Sequence, residues 1–183
     1  MAPKAVPQPS VERLVPFTDR PVVVGLVPDQ DPLVLRTAAS LAHAMGDTRI
    51  HVAFVDVTRY VIEELQDGTV RHAPVSPDAV DGDWTGLHDR LELRCADTLG
   101  DLQVPWDFHY LAGRPDRALT HLARTVDACV IVVGARRRGV GAQLREMVEG
   151  SVGMHLAHHQ HRPVLTVPVS VVDWKDLDAP WTM

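Results

Sequence analysis

Two rhythms of apolar residues alternate along this chain. Residues 21–27 (PVVVGLV) and 129–133 (CVIVV) are nearly unbroken apolar runs, and residues 49–57 are rich in Val, Ile and Phe. Such runs are the pattern of strands buried on both faces. Between them the spacing becomes helical. Leu33, Leu35, Ala38, Leu41, Ala42 and Met45 fall mostly on one face, after the turn PDQDP at 28–32 and before Gly46, which closes the segment. Residues 84–102 place Leu87, Leu91, Leu93, Ala96 and Leu99 mostly at core spacing, and a strand follows at 106–111. Gly113-Arg114-Pro115 opens a further helix, with proline near its first turn and Ala118, Leu119, Leu122 and Ala123 on its apolar side. A helix over 152–159 and a strand over 163–171 complete the series.

Two ends and one insert break the pattern. Residues 1–20 hold Pro3, Pro7, Pro9 and Pro16 with little periodicity, which predicts a flexible or loosely docked leader; residues 172–183, with Trp174 and Trp181, form a tail. Residues 58–82 are the irregular part. Asp67-Gly68, between the runs 60–65 and 69–74, predicts a β-hairpin, with a short helix over 61–65 as the competing reading. The insert follows the carboxyl end of the second strand, where structured loops often act as lids. The order βαβ(insert)αβαβαβ predicts an α/β fold over residues 21–171: a three-layer open parallel sheet with helices on both faces. Right-handed crossovers leave few topologies. Ligands of such sheets sit outside the carboxyl ends of the strands, where the winding reverses. That points to Val27 and Gly134.

Composition narrows the function. The 183 residues suffice for one domain, and 45% hydrophobic with 23% charged residues is ordinary for a globular protein. A formal net charge of -6 argues against nucleic acid or an anionic membrane as the main partner. The two cysteines, Cys95 and Cys129, form no CxxC pair, and a reduced cytosolic compartment is the simplest reading. No apolar run is long enough to span a bilayer, and the N-terminus has no apolar signal-peptide core.

The chemically loaded stretch is 130–151, VIVVGARRRGVGAQLREMVEGS. A buried strand, a glycine- and arginine-rich loop and a helix start are the parts of a phosphate-binding turn. Glycine lets backbone N–H groups approach an anion, and the helix N-terminus adds unpaired donors. Arg136, Arg137, Arg138 and Arg145 could add full charges; a surface loop with solvated arginines is the competing reading. Elsewhere the sequence offers less. His155 and His159 have the i, i+4 spacing of zinc ligands, but no Glu as in HExxH and no Cys or carboxylate lies near. They read, with His158 and His161, as a helix-end cluster, so no metal site is expected. Ser151 lies outside any GxSxG elbow and reads as a helix-start residue that meets an anion. No catalytic constellation appears, and hydrolysis, if any, should be slow.

Several of these landmarks together resemble the universal stress protein family: VDACVIVVGARR, the glycine loop ending in EGSVGMHLAHHQHRP, the closing VLTVPV, and earlier PVVVGLV, IHVAFVDV and AGRPDRALTHLA. The resemblance covers roughly residues 20–169. It implies a sheet of five parallel strands in the order 3-2-1-4-5, and a small cytoplasmic protein that pairs as a homodimer through its last strand, residues 163–171. Members divide into those that bind ATP and those that do not. The ATP-binding motif is Gly, two residues, Gly, nine residues, then Gly-Ser or Gly-Thr. Gly134 and Gly150-Ser151 match its ends. Arg137 stands at the second glycine, with Gly139 and Gly141 nearby, and the loop is about three residues too long. Val27 stands where ATP-binding members carry Asp; Asp29 comes two residues later. Val55 matches the position beside the adenine. The implied nucleotide-binding residues are Leu26, Val27, Pro28, Asp29, Val55, Gly134, Arg136, Arg137, Arg138, Gly139, Gly141, Gly150, Ser151 and Val152. The ligand would be ATP or a related adenine nucleotide, with magnesium accompanying it. The implied role is stress response or regulation through a protein partner. The alternative is a nucleotide-free interaction and dimerisation module of the same family.

Overall fold

The computed structural model describes residues 10–76, 83–135 and 152–169. Its strands are β1 (Val22–Leu26), β2 (Ile50–Asp56), β3 (Arg59–Glu64), β4 (Val70–Pro74), β5 (Trp106–Ala112), β6 (Val130–Ala135) and β7 (Val164–Pro168). Its α-helices are α1 (Leu33–Ala44), α2 (Trp84–Leu99), α3 (Pro115–Thr125) and α4 (Val152–His159). A short 3-10 turn over Gly100–Leu102 prolongs α2. The main sheet has five strands in the order β5-β2-β1-β6-β7, all paired in parallel. Counting only its own strands along the chain, this is the order 3-2-1-4-5.

The sheet is buried because its strands are apolar on both sides. Val22 and Val24 alternate with Val23, and each is fully buried. One core lies between the sheet and α1 and α2, built on Val22, Val24, Leu35, Ala38, Val52, Leu99 and Val132. The other lies between the sheet and α3 and α4, built on Val23, Ala53, Leu119, Leu122, Ile131 and Leu156. Burying each valine- or leucine-sized side chain contributes roughly 1.5–3 kcal/mol, so both layers are held by the same force. α1 and α2 follow β1 and β2 on one face, while α3 and α4 follow β5 and β6 on the other. The winding therefore reverses between β1 and β6.

β3 and β4 form a separate antiparallel hairpin with an irregularity between Val61 and Glu63. Gly68, with φ 85°, occupies the turn, a conformation glycine adopts without steric cost. The hairpin packs against the edge strand β5. His72 stacks near Tyr110 and Trp84 on the α2 side, whereas a Cβ on Gly68 would come within 2.8 Å of Leu122 on α3. Glu64 pairs with His121 of α3 at 2.9 Å. The hairpin thus stands beside the outer edge of β5, where it hinders pairing with another chain. The turn meets the C-terminal half of α3, so only the base of the hairpin stands at the carboxyl rim of the sheet.

The segment 10–20 is docked rather than free-running over the described residues. Val15 packs on the α1 core, Asp19 N–H donates to Met45 O at 3.1 Å, and Arg20 pairs with Asp127.

Candidate functional site

The reversal between β1 and β6 sets the geometry of the rim. β1 pairs with β6 from Val22↔Val130 to Gly25↔Val133 and no further. β6 continues beside β7, with Gly134 opposite Val167 and Ala135 opposite Pro168. The chain leaves β1 through a tight turn. Gln30 N–H donates to Val27 O at 3.3 Å, and Asp29 adopts φ 58°, a left-handed conformation that Asp tolerates better than most residues. Asp31 Oδ1 then accepts Leu33 N–H at 2.8 Å and starts α1.

Gln30 is the buried polar residue of this turn. Its Oε1 accepts the Val27 N–H at 2.9 Å, its carbonyl accepts from the Arg94 guanidinium of α2, and its carboxamide lies over Gly134. A Cβ added at Gly134 would stand 2.7 Å from Gln30 Nε2, 3.2 Å from Val169 Cγ1 and 3.3 Å from Val34 Cγ2. Glycine is thus required there by close approach.

The residues singled out from the sequence divide. Val27, Pro28 and Asp29 are exposed on the rim, Val27 at 57%. Leu26 is buried in the core under α1, while Val55 is buried in the core under α3, on the opposite face. Gly134 stands between them at the crevice, and Val152, 36% exposed, opens α4. Arg136, Arg137, Arg138, Gly139, Gly141, Gly150 and Ser151 lie outside the described residues.

Two grooves flank the crevice without including it. One, about 520 Å³, lies at the base of the hairpin against Asp56, Thr58, Arg59, Trp84 and Tyr110. Asp56 accepts from Thr58 N–H at 2.9 Å, from Thr58 Oγ1 at 2.6 Å and from Tyr110 OH at 2.7 Å. Burial works against the Asp56 carboxylate, but these hydrogen bonds and the Arg59 charge outweigh it and hold its pKa below the usual range. Burial and the Asp56 hydrogen bond push the Tyr110 phenol well up. Arg59 is buried, donates to His72 Nδ1 at 2.6 Å and lies 5.6 Å above the Trp84 ring. A larger groove, about 690 Å³, runs between the hairpin, α3 and α4 past Gly113, Arg114, His121, His155 and His159.

Sequence reasoning missed Gln30, Asp56, Arg59 and Tyr110. A glutamine between two aspartates in a turn gives no sign of burial. Asp56 and Tyr110 could have been paired from their places near the ends of adjacent strands. The histidines of α4 stack on each other with centroids 5.6 Å apart, and His159 Nδ1 lies 2.9 Å from the His155 carbonyl. His159 thus engages a backbone carbonyl of its own helix.

The fold and its rim define a doubly wound α/β domain whose strand ends part at a single switch point. The chain belongs to the universal stress protein family, which matches residues 20–168. Solved structures share its fold. A universal stress protein from Archaeoglobus fulgidus is 20% identical over 82% of this chain and 94% of its own, with a TM-score of 0.57. A universal stress protein in complex with cAMP is 22% identical over 84% of this chain and 99% of its own, with a TM-score of 0.57. The Archaeoglobus fulgidus protein in complex with dAMP is 20% identical over 81% and 97%, with a TM-score of 0.54. No curated protein matches the sequence of this chain. No helix among the described residues is long and apolar enough to cross a membrane.

Proposed function

We propose that this protein binds an adenine nucleotide, ATP or a close relative, at the rim between β1 and β6, and acts in the cytoplasm in stress response or regulation through a protein partner. The observation that carries this reading is the parting of β1 and β6 above Gly134, in a family with members solved in complex with cAMP and dAMP. The exposed Val27, Pro28 and Asp29 offer the adenosine an apolar shelf and one carboxylate. The sequence between Gly134 and the start of α4 offers Arg136, Arg137 and Arg138, Gly139, Gly141, Gly150 and Ser151 for the phosphates. Arginine binds phosphate by paired, charge-assisted hydrogen bonds, which can replace the backbone cradle that a second glycine would make. Magnesium would enter with the nucleotide.

Titration calorimetry with ATP tests this. Changing Arg136, Arg137 and Arg138 together to Ala should weaken binding at least tenfold, about 1.4 kcal/mol. Wild-type affinity should also fall as salt rises. Equal affinity in the two proteins, with the fold intact, would contradict the assignment of the arginines.

A second reading has its own support. Gln30 and Val169 close over Gly134, and Val27 brings no carboxylate to the first strand end. On that reading the crevice is self-filled and the domain works as an interaction module, dimerised through 163–171. It predicts no heat of binding for ATP, ADP, AMP or cAMP.

A further inference from the structure

Outside the rim, one cluster has the makings of a site that no part of the nucleotide reading uses. His51 on β2 is paired in register with Asp107 on β5, and His109 lies two residues further along β5 on the same face. That face carries α3, and the hairpin turn folds across it. His51 is 8% exposed and His109 6% exposed. His51 Nδ1 lies 3.0 Å from His109 Nε2 and 3.5 Å from Asp107 Oδ2. One donor atom from each of the three residues falls within 4.8 Å of the others. Arg49 donates to Asp107 Oδ1 at 2.9 Å, which leaves Oδ2 turned to the histidine.

We propose that His51, His109 and Asp107 bind a first-row divalent metal ion of the zinc class between β2 and β5, with one coordination position open to solvent. Two ligands held about 2.0–2.1 Å from a tetrahedral ion stand roughly 3.3 Å apart, close to the separations already present. Two imidazoles and one carboxylate are a donor set that suits zinc and its neighbours. The buried histidines close the site on the protein side. Asp107, whose side chain is 45% exposed, leaves the other side accessible.

Without an ion, His51 Nδ1 and His109 Nε2 face each other and share one proton. His109 Nδ1 is buried with no hydrogen-bond partner among the described residues. If His51 Nδ1 carries the proton and donates, His109 must keep its own proton on that unpartnered Nδ1. If His109 Nε2 donates to His51 Nδ1, the His51 lone pair also faces the Asp107 carboxylate. A cation at the convergence would take the lone pairs of His51 Nδ1, His109 Nε2 and Asp107 Oδ2 together, with the His109 ring proton on Nδ1. Burial first, and the neighbouring His109 next, bring His51 down to about 4 against the pull of Asp107. Burial also holds His109 below its usual value against Asp107 and Asp67. Coordination makes a ring more positive, and the Asp67 carboxylate on the hairpin turn favours that change in His109. The ion would tie the edge strand β5 to β2 beneath the hairpin.

The test uses the full chain, stripped with a chelator and titrated with cobalt(II) and then zinc(II). The proposal expects about one equivalent of cobalt with the visible absorption of a four-coordinate ion, displaced by zinc. The His51→Gln/His109→Gln pair should abolish it, and Asp107→Asn should weaken affinity at least about tenfold, the least that a ligand should cost if its second-shell supports cost that much. His155→Gln/His159→Gln should leave it unchanged. Circular dichroism checks folding; if the buried pair of changes unfolds the chain, the half-exposed Asp107→Asn decides. A wild type that takes no cobalt, an Asp107→Asn protein with unchanged affinity, or binding lost only with His155 and His159 would each overturn the proposal.

Discussion

Gln30 and His51 both hide polar chemistry where the sequence pattern reads as turn or strand. Gln30 satisfies Val27 N–H and takes a guanidinium from Arg94, so its burial costs little. Nothing local in the sequence signals those partners, because one of them lies on α2, far along the chain. His51 sits in an apolar run whose pattern announces only a strand. Its consequence is a pH dependence. The unfolded ring takes up a proton near its ordinary value of about 6.5, whereas the folded ring does so only near about 4. The stabilisation is therefore complete above the unfolded value and is lost as pH falls through that window. For metal-free protein, urea midpoints should drop between these two values, by up to about 3 kcal/mol of stability. His51→Gln should make the drop shallower, with His109 supplying what remains. A wild-type curve that is level across the window would mean that folding leaves the proton affinity of His51 unchanged, and would contradict the shift.

The main elements were legible because two periodicities do not overlap. Runs such as Val130–Ala135, buried over their first four residues, announce a strand with both faces covered, and the spacing of Leu119, Leu122 and Ala123 announces a helix with one. The strand order, however, came with the family likeness; periodicity alone left the topology open. The docking of the hairpin was not legible, since it depends on contacts between Gly68 and Leu122, Glu64 and His121, and Arg59 and Trp84. Those contacts place its base at the rim and its turn away from it. Hydrogen exchange should follow: saturating ATP should slow exchange at Thr58, Arg59 and Val75 and leave Leu65, Gly68 and Thr69 unchanged. Protection centred on the turn would instead require the hairpin to swing over the rim.

At the scale of the molecule, the two sheet edges differ. β5 is flanked by the hairpin, whereas among the described residues β7 has β6 as its one strand neighbour. Leu165 is 38% exposed on this strand, while Val167 is 4% exposed and packs in the α1 core. A charge at Val167 would lie in the core of the monomer itself and destabilise it, so Leu165 is the informative position. If β7 pairs with its counterpart across a two-fold axis, Leu165→Lys should shift a dimer to monomer in light scattering with the thermal midpoint of the monomer little changed. An unaltered dimer would place the interface elsewhere. The central claim is that the rim holds an adenine nucleotide, and the most direct measurement is extraction of the purified protein followed by mass analysis, repeated after incubation with ATP. The account predicts ATP or a related adenine nucleotide at up to one per chain, greatly reduced in Gly134→Val, where the added side chain would collide with Gln30 and Val169. A protein that comes out empty and stays empty after incubation with ATP would contradict it.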